Sequence, residues 1–294
     1  MSLKIQLRGT GVAIVTPFKN GEIDFSALKN LIEFLIKKKV EYIVTLGTTG
    51  ETPTLSKSEK KEIIAFTKKI INKRIPLVVG IGGNNTAETI EQLKDLDADD
   101  VMAVLSASPY YNKPSQEGIF QHYKALAEAS PRPIILYNVP GRTSSNISAE
   151  TTIRLAKECK NITGIKEASG NMVQCMHILK NAPEDFLVVS GDDHIAMPLI
   201  ACGMDGVISV VANCFPEEFS NLIRYSLEFN FAKAQEIQNK LLEAMDLLFV
   251  ENNPAGVKDF LHQMKLIENE LRLPLVPLSE QISKKITAFL NVYN

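Results

Sequence analysis

The sequence has no apolar run near the roughly 18 residues that a membrane-spanning helix needs. Residues 1–18 offer only 11–15 as an apolar stretch, too short for a secretion signal, so a cytoplasmic protein without membrane contact is expected. Neither sign of charge is in excess: 32 Lys and Arg stand against 34 Asp and Glu, a net charge of -2. Nucleic-acid affinity depends on neutralising phosphates, and without a basic surplus nucleic acid is not an expected partner. Cysteine is scarce and scattered. Cys159, Cys175, Cys202 and Cys214 form no CxxC pair and lie in apolar or helical text, so they read as reduced packing residues. His122, His177, His194 and His262 form neither HxxxH nor HExxH, which leaves a zinc site without a signal. No low-complexity linker divides the chain. What is present, 45% hydrophobic and 22% charged over 294 residues, is ample for a large core.

Short β-branched runs recur at 12–16, 42–46, 77–81, 101–105, 134–137, 162–166, 187–190 and 207–210. Most are nearly continuous apolar stretches, as expected of parallel strands buried on both faces. Amphipathic text lies between them. Asp24 is placed to cap a helix in which Phe25, Leu28, Leu31, Ile32, Leu35 and Ile36 share one face. Ser56-Lys57-Ser58-Glu59 is a capping-box pattern opening the next helix. Further helices are expected at 85–96, 115–128, 148–158, 171–179 and 194–202. The repeated βα unit points to a closed (β/α)8 TIM barrel over residues 1–225, with an open doubly wound sheet as the alternative. After Pro216 the strands stop, and helices at 217–227, 231–250, 255–268 and 280–290 read as a C-terminal helical region, 226–294, packed on the barrel.

Reactive groups in such a barrel sit just past the C-terminal ends of the strands. The second strand ends in Gly47-Thr48-Thr49-Gly50-Glu51, hydroxyls and amides on a flexible turn suited to an anion, although small turns of this kind are common. The sixth ends in Gly164-Ile165-Lys166-Glu167. A lysine at the end of a buried strand is disfavoured as an ammonium, and a free amine attacks carbonyls; the plainer reading is a lysine reaching solvent beside Glu167. Tyr137 closes the fifth strand and Arg142 follows on its loop, a phenol suited to proton transfer and a fork suited to a carboxylate, with core packing the ordinary role for Tyr137. After the fourth strand, Tyr110 and Tyr111 stand between Pro109 and Pro114. Gly80-Ile81-Gly82-Gly83 lacks the third glycine of a dinucleotide fingerprint, since Asn85 stands there, and Asp192-Asp193 lacks a third carboxylate for a metal.

Taken together, Gly47-Thr48-Thr49-Gly50-Glu51, Tyr110-Tyr111-Asn112, Tyr137-Asn138-Val139-Pro140-Gly141-Arg142-Thr143, Gly164-Ile165-Lys166-Glu167 and Gly191-Asp192-Asp193 resemble the dihydrodipicolinate synthase family across essentially the whole chain, in the family's order. That family belongs to the pyruvate-dependent class I aldolase and lyase superfamily. The resemblance implies that Lys166 forms a Schiff base with pyruvate, that Thr48, Thr49 and Gly50 hold its carboxylate, and that Tyr137, Thr48 and Tyr111 relay protons. It implies that Arg142 binds the carboxylate of L-aspartate 4-semialdehyde and that Gly191 and Ile208 line the pyruvate pocket through the backbone. Tyr111 is expected to cross from a neighbouring subunit, in a tetramer built as a dimer of dimers. Neither metal nor organic cofactor is implied, because the iminium itself is the electron sink. An N-acetylneuraminate or keto-deoxy sugar acid lyase of the same superfamily is the nearest alternative, with Arg142 the discriminating residue, and a non-catalytic carboxylate-binding barrel is the alternative from another class. The resemblance further implies a lysine-binding allosteric site. There Asn84, Glu88 and Tyr110 match, Thr52 and Pro53 depart modestly, and Lys57 and Lys60 stand where lysine-sensitive relatives often carry histidines.

Overall fold

The computed structural model describes residues 2–293. Eight parallel strands close into a barrel: β1 (Gly9–Ala13), β2 (Tyr42–Thr45), β3 (Leu77–Gly80), β4 (Ala103–Ala107), β5 (Ile134–Asn138), β6 (Ile162–Glu167), β7 (Leu187–Ser190) and β8 (Gly206–Ser209), with β8 pairing back onto β1. Period-two alternation along each strand divides the core into two layers. Tyr42, Val44, Val78, Leu105, Ile135, Tyr137, Leu187, Val189 and Ile208 fill the interior, and Leu7 packs with them. Ile43, Val79, Val104, Ile134, Leu136, Ile165 and Val188 face outward, under the helices. Both faces are buried, so the strands read as continuous apolar text.

The first strand lies earlier than its hydrophobicity suggests, at Gly9–Ala13 instead of 12–16. Its glycines carry no apolar signal, yet they are required: a Cβ on Gly11 would come within 2.2 Å of the Tyr42 ring. The fourth strand likewise ends two residues later than its apolar run, at Ala107.

Helix starts follow the polar caps. Asp24 accepts from the Ala27 amide, the Ser56–Glu59 box is reciprocal, and Asn85, Ser115, Ser148 and Asn171 each accept an amide of the first turn they precede. Helix ends are less legible. The helix Ala255–Gln263 stops well short of 268, at a chain reversal in which Lys265 takes φ 62°. Beyond Pro216–Leu227, the helices Phe231–Phe249, Ala255–Gln263 and Glu280–Tyr293 contribute Leu241, Met245, Leu248, Phe260, Leu261 and Ile286 to the same outer core that the barrel helices build. Three cysteines are packed as expected, whereas Cys202 is exposed, at the end of the short helix Ala196–Ala201.

Candidate active site

Lys166 and Tyr137 face each other across the β5–β6 pair. A register shift near the start of β6 sets Tyr137 against Lys166 and Asn138 against Glu167, so the first pair points into the barrel and the second points out. Lys166 is only 5% exposed and its Nζ lies 4.4 Å from the centroid of the Tyr137 ring. Glu167 does not neutralise it. The Glu167 carboxylate faces the other way and is fully engaged, accepting from Asn138 Nδ2 at 2.9 Å, Gln174 Nε2 at 3.0 Å and the Ser169 amide at 2.7 Å. A lysine that reached solvent beside Glu167 would need both side chains on one face, and the strand alternation forbids it.

The end of β7 is shaped around that lysine. A Cβ on Gly191 would stand 2.8 Å from Lys166 Cε and 2.6 Å from Ala168 Cβ, so glycine alone leaves room for the stem. Ile208 is buried on β8 in the interior cluster that also holds Tyr137. The loop after β7 is tied to the loop after β8 by Asp193, whose carboxylate accepts from the amides of Val210 at 2.9 Å and Val211 at 3.0 Å.

After β2, Thr48–Gly50 form a single tight helical turn. Thr16 Oγ1 donates to the Gly50 carbonyl at 2.8 Å and Thr52 Oγ1 to the Gly47 carbonyl at 2.9 Å, fixing the turn at both ends. Thr49 is buried and its hydroxyl accepts from Asn253 Nδ2 at 2.9 Å, which leaves its own proton free to donate. The Thr48 hydroxyl has no hydrogen bond among the described residues.

Arg142 sits in the turn Pro140–Thr143 after β5, is exposed, and donates through Nη2 to the Asn253 carbonyl at 3.3 Å. No carboxylate of the described residues pairs with it. Asn253 therefore touches both the threonine turn and the guanidinium. It lies in the C-terminal region, and the sequence signals only a turn at Asn252-Asn253-Pro254.

Tyr111 is not brought to these groups within one chain. It is 88% exposed, holds φ 71°, and makes no hydrogen bond among the described residues; Tyr110 beside it is also exposed. Asn112 Nδ2 reaches the Asn84 carbonyl at 3.3 Å, placing the tyrosine loop against the loop after β3. Of the remaining residues of the expected lysine site, Thr52 is half-buried, and Pro53, Lys57 and Glu88 are exposed. Lys60 is half-buried, its pKa lowered by burial and then by the neighbouring Lys57 ammonium.

The turn has one more neighbour that sequence reading passed over. Glu51 forms a fully buried ion pair with Lys258 on Ala255–Gln263, and burial pushes Lys258 down to about 8 while the Glu51 carboxylate opposes that shift. No other feature of the chain marks Lys258, one lysine among many on amphipathic helices.

The dihydrodipicolinate synthetase family model matches residues 6–292. The chain belongs to the dihydrodipicolinate synthetase family. It is 51% identical over 282 residues to the 4-hydroxy-tetrahydrodipicolinate synthase of Flavobacterium psychrophilum, covering 96% of each chain. With that of Phocaeicola vulgatus the identity is 52% over 290 residues, 98% of each. The crystal structure of dihydrodipicolinate synthase from Thermotoga maritima superposes with a TM-score of 0.96 at 42% identity, covering 98% of this chain and 99% of that one. Family membership thus agrees with the barrel and with the motifs at its strand ends.

Proposed function

We propose that this chain is a 4-hydroxy-tetrahydrodipicolinate synthase, a lyase of the class I aldolase type that condenses pyruvate with L-aspartate 4-semialdehyde in lysine and diaminopimelate biosynthesis. The observation that carries this reading is Lys166, buried in the barrel mouth against the Tyr137 ring with no carboxylate of the described residues paired to it. Its amine attacks the ketone carbon of pyruvate, water leaves, and an iminium forms. The iminium draws electrons from the adjacent methyl, which loses a proton to give an enamine, so the chemistry calls for neither metal nor organic cofactor. The enamine carbon adds to the aldehyde, and attack of the semialdehyde's amino group on the iminium closes the ring and frees Lys166.

The threonine turn supports binding of the pyruvate carboxylate: Thr48 and Thr49 each keep a donor proton, and Gly50 adds backbone to the same turn. Tyr137 with Thr48 and the Tyr111 of a neighbouring subunit form the proton relay. Arg142 receives the semialdehyde carboxylate at the mouth, while Gly191 and Ile208 line the pyruvate pocket. The exposure of Tyr111 in the single chain supports a site shared between two subunits; the proposed assembly is a homotetramer made of two tight dimers, working in the cytoplasm. Residues 1–225 make up the catalytic barrel and 226–294 a helical region packed on it. A lysine site formed by Thr52, Pro53, Lys57, Lys60, Asn84, Glu88 and Tyr110 is retained but binds weakly.

Borohydride added to enzyme and pyruvate reduces the imine, and peptide mapping should then find one adduct, on the peptide bearing Lys166. An adduct on another lysine, or none, overturns the mechanism.

A further inference from the structure

A three-residue turn has little intrinsic preference for one shape, so the conformation of Thr48–Gly50 must be imposed by its surroundings. The residue that closes it, Glu51, takes φ 53°, a left-handed conformation that costs a non-glycine residue stability. Its amide donates to the Thr48 carbonyl at 3.1 Å, and its carbonyl accepts from the amide and hydroxyl of Thr54 at 2.9 and 3.0 Å. Its carboxylate turns inward and is buried. An isolated carboxylate there would be untenable, and two groups compensate it: the Arg272 amide at 3.1 Å and the Lys258 ammonium.

Lys258 is itself held on every side. It is fully buried, donates to the Glu270 carbonyl at 2.8 Å, and lies 4.2 Å from the centroid of the Phe18 ring, whose surroundings also include Arg272 at 4.5 Å. Arg272 is committed elsewhere, to Glu59 at 2.6 Å. Lys258 is therefore the one side-chain cation paired with Glu51 among the described residues. The same stretch of chain carries Asn253, which grips Thr49. Asn253 holds the turn from within and Lys258 holds the residue that closes it, both from the region beyond the barrel.

We propose that Lys258 and Glu51 are positioning residues for the 2-oxo acid substrate: through their buried ion pair, the C-terminal region holds the Thr48–Gly50 turn in the shape that receives the substrate carboxylate. The inference rests on the assignment of that turn to the pyruvate carboxylate. Neither residue touches the reacting atoms. Their loss should be read in pyruvate binding more than in the later steps, and the role differs from that of a pair that only stabilises the fold.

The test uses the full-length enzyme with Glu51→Gln, Lys258→Met, the double variant Glu51→Gln/Lys258→Met, and Thr49→Val. For each, the pyruvate concentration giving half-maximal borohydride trapping is measured beside KM for both substrates, kcat and the unfolding midpoint. In the Glu51 and Lys258 variants, half-saturating pyruvate should rise at least tenfold, trapping at saturating pyruvate should stay complete, and KM for the semialdehyde should stay within twofold. Glu51→Gln preserves shape and keeps the acceptor for the Arg272 amide, and the double variant leaves no unpaired charge, so both remain measurable if Lys258→Met does not fold. Unchanged half-saturating pyruvate in folded variants overturns the proposal, whatever the unfolding midpoint, and so does an equal rise in both KM values. Thr49→Val separates the two levels: if it raises half-saturating pyruvate and the Lys258 variants do not, only the positioning role fails; if none of them does, the assignment of the turn fails as well.

Discussion

In the proposed function, Arg142 is the residue on which substrate choice turns. It is exposed at the barrel mouth, carries no carboxylate partner among the described residues, and its guanidinium donates to the Asn253 carbonyl. A guanidinium offers a carboxylate two parallel donors, and a charged hydrogen bond contributes about 1.5–3 kcal/mol. Arg142→Ala should therefore raise KM for aspartate semialdehyde roughly ten- to a hundredfold while leaving borohydride trapping of pyruvate nearly unchanged. An equal loss in both steps would make Arg142 structural and would remove the feature separating this chain from sugar-acid lyases. His122 governs stability instead. It is 5% exposed, bonded at Nδ1 to Thr86 Oγ1 at 2.9 Å, and burial pushes its pKa down to about 4. A depressed folded value means that the unfolded chain takes up the proton first, so stability is complete above the unfolded value near 6.5 and falls as pH drops toward 4. Between pH 7 and 5 the loss is on the order of 2 kcal/mol. His122→Asn keeps an acceptor for Thr86 without titrating; urea unfolding at both pH values should show it losing about 2 kcal/mol less than wild type over that interval. A variant with the wild-type slope would rule this out.

At the scale of elements, the helix Lys57–Ile71 carries two residues of the proposed lysine site. Its capping box fixes where it begins, which places Lys57 and Lys60 in the first turn, at the positive end of the helix dipole. Glu59, the carboxylate nearest in sequence, is bound to Arg272 and held down to about 2 by that guanidinium. Its charge is already matched. A cationic ligand about 6 Å from a lysine ammonium is repelled by roughly 2–3 kcal/mol at an effective dielectric near 20, before salt screening. With Lys60 half-buried, that repulsion is not removed by simple rotation into water. Activity at saturating pyruvate should persist through submillimolar L-lysine. Strong inhibition in that range would mean that Glu88 and Tyr110 bind lysine regardless of both cations. The same helix shows why starts are more legible than ends: a cap is a local contact between residues three apart, whereas an end is set by where the chain must turn to pack.

For the whole molecule the proposed function makes the site one that a single chain leaves incomplete. Tyr111 stands exposed at φ 71°, a left-handed conformation uncommon for an aromatic residue. If a partner subunit supplies it, inactive Tyr111→Phe and Lys166→Ala proteins should rescue each other when their subunits exchange. Each hybrid dimer then holds one intact site, so random exchange should return about a quarter of wild-type activity. Proven exchange without recovered activity would exclude the shared site.

The sequence by itself determined the barrel and brought out the candidate site residues. Eight apolar runs spaced by amphipathic helices admit few other folds, and strand ends can be found from where those runs stop, so Lys166, Tyr137, Arg142 and the Thr48–Thr49 turn were all visible in one dimension. Alternation along β5 and β6 then fixed which side chains face inward, although the register shift that sets Tyr137 opposite Lys166 required the folded sheet. Tertiary structure alone decided the support of the site. Asn253 and Lys258 reach Thr49 and Glu51 across about two hundred residues of chain, and neither carries a local signature. Gly11 stands outside the apolar run at 12–16, and only the fold shows the Tyr42 ring occupying the space its side chain would need. Sequence reports what each segment buries. Which distant segment meets it depends on closing the barrel and packing the last helices against it, a choice made by packing over the whole molecule.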